Sequence, residues 1–199
     1  MRKMTKFAVL SAVVAGAFAI AVQSPVLAAE DHVELIRSKV LAQAQALASD
    51  PRVIAAVESQ NRKSAGLGQS DIDRLDKQWR SETAATSRPL IDGVLANELS
   101  QFLGKVKTDG RGLYTEIFVM DNKGLNVGQS DVTSDYWQGD EDKWQKTYGK
   151  GANAVLIDDV EFDESTQSFQ SQLSLPVVDG GTGDVVGAIT IGINVDLLQ

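Results

Sequence analysis

The strongest constraint on this chain is a change of period at residues 107–112, KTDGRG. Before it, apolar residues return every three or four positions; after it, every second position. The first spacing lays one stripe along a helix and the second lays one face along a strand. Helices followed by strands, without alternation, predict an α+β layer arrangement.

In residues 31–49, Val33, Ile36, Val40, Ala44 and Leu47 form a single apolar stripe, which predicts a long amphipathic helix. Asp50 and Pro51 make a cap and first-turn pair that restarts a helix with Val53, Ile54 and Val57 facing inward. Residues 61–69 are polar and contain glycine, and read as a loop. Ser70 and Asp73 suggest a capping box for a third helix carrying Ile72, Leu75 and Trp79. A fourth helix is predicted over residues 89–106, with Ile91, Val94, Leu99, Phe102 and Leu103 on its apolar side.

YTEIFVMD, NKG and LNVGQS read as strand, tight turn and strand, with Gly124 supplying the positive φ of the turn. NAVLIDDVEFDE and SFQSQLSLPVVD form a second pair joined near residues 165–167. DGGTGD then turns the chain into VVGAITIGINVDL. In that last strand Ile189, Ile191, Ile193 and Val195 alternate with Ala188, Thr190, Gly192 and Asn194. The greasy face takes the long N-terminal helix, and the small-residue face leaves room for something else. One antiparallel sheet of about five strands in one domain is the expectation, since the chain shows neither repeat nor linker.

Arg2, Lys3 and Lys6 precede an uncharged apolar run over residues 7–22, and then SPVLAAED. This is the layout of a secretory signal peptide cleaved after Ala28, or after Ala29, leaving a domain over residues 29–199 in the periplasm. An uncleaved inner-membrane anchor is the alternative. Cleavage removes three cations and no acid, and takes the formal charge from −8 to −11. Such a balance argues against nucleic acid as a partner. Cysteine is absent and His32 is the one histidine, so neither a disulfide, a zinc set nor a Cys/His or Ser/His pair is expected; His32, at a helix start, reads as a surface residue. No cofactor and no metal site are predicted. Asp159, Glu161 and Asp163 would share one face of a strand, with Val160 and Phe162 on the other. A hydrolase built on two of these carboxylates is a minor reading, because charged strand faces are usually solvated.

The segment TSDYWQGDEDKWQKTY, residues 133–148, holds two of the three tryptophans and two of the three tyrosines, among four acids. Either Trp137, Trp144 and Tyr148 are core residues around a short helix, or they line a ligand cage. Asp140 either caps that helix, over residues 141–148, or touches the ligand.

The order of a long helix, further helices, then IFVMDNKG, SDYWQGDEDKW, VLIDDVEFDES, LSLPVVD and GDVVGAITIGINVD resembles the Cache superfamily of extracytoplasmic, PAS-like sensor (PDC) domains. The likeness covers most of the mature chain and is strongest over residues 114–197. It implies a long helix behind an antiparallel sheet, with loops on the other side closing over a small ligand, and no catalysis. It also implies a pocket drawn from Tyr136, Trp137, Asp140, Trp144, Tyr148, Asp159 and Asp163. Amino-acid-sensing members carry an arginine two residues before the pocket tryptophan, where this chain has Asp142. Aromatic faces with acids beside them attract cations. An amine or neutral polar ligand is therefore favoured over a carboxylate. Ending after the last strand, the chain reads as a free-standing module that reports to a membrane receptor or kinase. The alternative is an acidic protein-interaction module with a vestigial pocket.

Overall fold

The computed structural model describes residues 25–163 and 167–198, so the apolar run at residues 7–22 lies outside the described residues. The first stripe folds as helices α1 (Pro25–Lys39) and α2 (Leu41–Ala48), and the candidate cleavage site falls within α1. They meet at Val40, whose φ of −117° interrupts the helix. Its N–H still donates to the Ile36 carbonyl at 2.9 Å, so the stripe Ile36, Val40, Ala44 and Ala48 stays in line and is buried. His32 departs from expectation: it is 6% exposed, because α1 lies against the sheet as far back as this residue.

Helix α3 (Pro51–Ser64) starts where predicted, with the Asp50 carboxylate accepting the Arg52 N–H at 2.9 Å. It continues into residues expected to form a loop. Asn61 donates to the Val186 carbonyl at 2.8 Å and accepts the Asn122 N–H at 2.9 Å, and Ser64 donates to Asp121 at 2.8 Å. Polar residues with buried partners extend the helix. Helix α4 (Gln69–Glu82) has Gly68 as its N-cap, with the Gly68 N–H donated to Asp71, and the Ser70/Asp73 box does not form. The single helix predicted over residues 89–106 is two, α5 (Pro89–Leu95) and α6 (Glu98–Asp109). Asn97 splits them: it takes an extended ψ of 161°, accepts the Ser100 N–H at 2.8 Å and donates to the Val127 carbonyl at 2.8 Å. Capping one helix while tying it to a strand is what asparagine does best at a helix start.

Strands β1 (Tyr114–Met120), β2 (Asn126–Gln129), β3 (Leu156–Ile157), β4 (Glu161–Asp163), β5 (Ser168–Val178) and β6 (Val185–Asn194) form one antiparallel sheet. The order is β2-β1-β6-β5-β3, with β4 also paired to β5. β3 and β4 are two halves of one interrupted edge, which reconciles six strands with the expected five positions. The turn between β1 and β2 has Gly124 at φ +82°. The predicted joint at residues 165–167 lies largely outside the described residues.

The alternation in β6 sorts the two faces. Ile189, Ile191 and Ile193 join Ile117, Val119, Leu173, Leu175 and Val177 beneath α1–α3 and α6, the main core. A second cluster lies between α4, α5 and the chain after β2, with Ile72, Trp79, Ile91, Val94, Leu125 and Tyr136. Glu82 ties its corner: its buried carboxylate accepts the Leu90 and Ile91 N–H groups at 2.9 and 3.0 Å, satisfying the open start of α5.

Candidate ligand-binding site

The other face of the sheet is built in rows by register. Glu116, Gly192 and Gln172 lie side by side, as do Phe118, Thr190 and Ser174, then Met120, Ala188 and Pro176. Phe118, Met120 and Ala188 are buried apolar residues. Thr190 and Ser174 satisfy each other at 2.9 Å. In the remaining row Gln172 donates to Glu116 at 2.8 Å across Gly192. A Cβ on residue 192 would stand 2.8 Å from the Glu116 Cγ and against the Thr115 hydroxyl, so glycine is what lets this polar row close.

The connection from β2 to β3 lies over this face, carrying α7 (Asp142–Gln145) and a 3₁₀ turn at Tyr148–Lys150. Trp144 and Tyr148 stack at 4.8 Å with planes 21° apart and pack on Phe118, Met120 and Ala188. The Trp144 indole N–H donates to the Asp121 carbonyl at 3.0 Å. These rings fill the half of the face nearest the β1–β2 turn. Beside them remains a polar cavity of about 290 Å³, lined by Lys143, Asp158, Asp159, Glu161, Gln170 and Gln172.

Lys143 is the cation of this cavity. Its side chain is 16% exposed, and its Nζ lies 2.7 Å from the Glu141 carboxylate and 5.7 Å from the Phe118 ring centre. Burial pushes the Glu116 carboxyl above its usual range, partly offset by the Gln172 hydrogen bond and by the charge of Lys143. Burial does the same to Asp158, again with Lys143 as the leading opposing charge. The Asp158 backbone is held from three sides: its N–H donates to Gln172, and its carbonyl accepts Ser171 Oγ at 2.6 Å and His32 Nε2 at 3.2 Å.

The structure separates the residues that the sequence groups together. Tyr136 stacks on Trp79 at 5.3 Å in the second core, where burial, and then the charge of Asp121, raises its hydroxyl to about 12. Trp137 packs against the same cluster and donates its indole N–H to the Lys123 carbonyl at 2.8 Å. Both backbone N–H groups go to Asp76, at 2.9 and 3.0 Å, an acceptor some 60 residues earlier in the chain. Trp144 and Tyr148 cover the sheet. Asp140 is exposed, and the helix after it begins at Asp142 rather than residue 141 and ends at Gln145 rather than Tyr148, without a side-chain cap. Asp159 lines the cavity, and Asp163, on β4, adds its negative field at Glu116. Lys143, Glu116, Asp158, Gln170 and Gln172 had no place in the sequence-based set. Their one sequence signal is alternation: Gln170 and Gln172 share the small-residue face of β5.

The preference for an amine or neutral polar ligand over a carboxylate, drawn from the missing arginine, is corrected by the lysine that lines the cavity. Asp142, at the position where an arginine was looked for, is exposed and paired with Lys146 at 2.6 Å, while Lys143, one residue on, turns inward.

Among the described residues no helix is long and apolar enough to cross a membrane, and no group of acids and histidine could hold a metal ion. No protein-family model matches the sequence, and no curated protein matches it. Solved structures similar to the chain include the sensory domain of the Campylobacter jejuni chemoreceptor Tlp3, at 13% identity, with 84% of this chain and 65% of that chain covered and a TM-score of 0.41. The Tlp3 ligand-binding domain with 4-methylisoleucine matches at 12% identity over 92% of this chain and 66% of that chain, with a TM-score of 0.40. The sensor domain of the Vibrio cholerae histidine kinase DctB matches at 11% identity over 86% of this chain and 58% of that chain, with a TM-score of 0.37. The chain thus spans about two thirds, or less, of the length of these sensor domains.

Proposed function

We propose that this protein is a periplasmic sensor module that binds a small polar molecule and reports its occupancy to a membrane receptor or kinase, without catalysis. One observation carries the reading: the β2–β3 connection lies over the small-residue face of the sheet and leaves beside its rings a polar cavity of about 290 Å³. Small-molecule sites are hollows of roughly this scale with a few convergent polar groups. On this reading residues 1–28 direct export, residues 29–199 form the module, and the ligand contacts lie among Lys143, Asp158, Asp159 and Glu161, with Trp144 and Tyr148 as the wall.

The experiment is a thermal-shift screen of the purified protein against amino acids, amines and organic acids. A ligand at 100 times its dissociation constant raises stability by about 2.7 kcal/mol. A screen across all three classes in which nothing shifts the transition would sink the sensor reading.

A second reading, an acidic interaction module, draws on one surface. Phe162 and Phe169 are 51% and 49% exposed and meet edge to face at 5.3 Å, with the exposed Val160 nearby and Asp159 and Glu161 beside them in sequence. An apolar patch with acids around it suits a basic protein partner. Replacing both phenylalanines with serine would then abolish partner capture without altering any ligand response.

A further inference from the structure

The sheet ends on one side at β3 and β4, which pair with β5 and, among the described residues, with no other strand. An edge strand offers its outward N–H and C=O groups to any chain that can pair with them. The two faces of this edge differ. Glu161 stands opposite Gln170 and both line the cavity, so Phe162 and Phe169, the next pair in register, project to the helix side. On that side β5 is buried at Val177, Leu175, Leu173 and Ser171, and there the cover stops: Phe169, next on this face, is half-exposed, as is its partner Phe162. Charge decides what kind of strand fits. From residue 151 to residue 199 the chain has eight acids and no Lys, Arg or His. Asp159 and Glu161 are exposed and, among the described residues, in no ion pair, while the cations acting on the adjacent Asp158, Lys143 and Lys146, are held by Glu141 and Asp142. A second copy of this chain is the wrong occupant, because acid would face acid across the new ladder.

We infer that β4 is a docking edge for an extended segment of a partner protein, one that alternates apolar and basic residues. Laid beside β4, such a segment turns its apolar residues to the Phe162–Phe169 side and its basic ones to the Glu161 side, because successive side chains of a strand take opposite faces. Backbone pairing then supplies affinity, and the alternation supplies register and specificity. Arginine suits the basic positions, since its planar fork matches a carboxylate. This inference rests on the interaction-module reading and adds to it the partner's conformation and sequence pattern.

The probe is a synthetic heptapeptide that alternates arginine and valine, blocked at both ends and labelled for fluorescence anisotropy. Three relatives serve as controls: one with the same residues but the valines together, one N-methylated throughout, and one with glutamate in place of arginine. The expected result is binding of the alternating peptide about tenfold or more tighter than any control. Bound peptide should slow amide exchange at residues 160–163 and leave β2, the opposite edge, unchanged. Phe162→Ser with Phe169→Ser, two changes at exposed positions, should weaken binding about tenfold or more, the usual cost of losing aromatic anchors. Equal binding of the alternating and N-methylated peptides, protection absent from β4, or no binding of the alternating peptide overturns the inference. The two readings fail separately. Binding that needs both phenylalanines but ignores the order of residues or the backbone methyls leaves the interaction-module reading and removes this one; binding unchanged in the double variant removes both.

Discussion

His32, on the first helix, meets the backbone carbonyl of Asp158 at 3.2 Å, a contact 126 residues apart in sequence. A carbonyl only accepts, so Nε2 carries the proton, and Nδ1 is left buried without a partner. The contact joins the helix behind the sheet to the rim of the cavity in front of it, because the Asp158 side chain lines that cavity.

Removing the imidazole leaves the Asp158 carbonyl with Ser171 alone. His32→Ala should cost about 1 kcal/mol of stability, the net worth of one hydrogen bond. Hydrogen exchange at the Asp158 amide should accelerate more than at the β1–β6 ladder. Uniform acceleration would mean that the histidine serves only general packing.

Trp144→Ala empties the wall beside the cavity and leaves the Asp121 carbonyl with the Gly124 N–H as its partner. A loss of about 2–4 kcal/mol is expected from the cavity left by a large, partly buried ring, measured as the urea midpoint. Tyr136→Ala should cost a comparable amount yet leave any ligand-induced shift in place, since Tyr136 stacks on Trp79 away from the cavity. A ligand response lost in Tyr136→Ala and kept in Trp144→Ala would reverse this assignment.

Glu116 gives a pH signature. Its folded pKa is raised, foremost by burial, so the folded state disfavours the anion. That penalty is full above the folded pKa and vanishes as pH falls through it to the unfolded value. Glu116→Gln, which keeps an acceptor for Gln172, should therefore be more stable than wild type near neutrality. Its advantage should shrink toward about pH 4, where the unfolded carboxyl itself takes up a proton. Denaturant midpoints of the two proteins across that range check the sign.

Gly124→Ala should destabilise by about 1–3 kcal/mol. The residue sits at φ +82°, and an added Cβ would lie 2.5 Å from the Gly139 Cα, a backbone contact that no side-chain rotation relieves. Thermal denaturation measures it directly.

Spacing between neighbours was enough to read the architecture. The change of period at residues 107–112, the Asp50 cap, the glycine of the β1–β2 turn and the sorting of β6 into an isoleucine face and a small-residue face were all legible in the sequence, because helix and strand periods are local properties of the backbone. Helix ends proved less legible where polar residues are drawn inward, as with Asn61 and Ser64, or where Asn97 caps and tethers at once. The segment over residues 133–148 has no sustained period, so nothing local orients its rings. Asp76 and Trp79 pull Tyr136 and Trp137 into one core, Asp121 and the sheet draw Trp144 and Tyr148 into another, and Lys143 turns inward among carboxylates from three different strands and loops. These placements belong to the tertiary structure alone, since each depends on a partner tens of residues away whose position exists only once the sheet has formed.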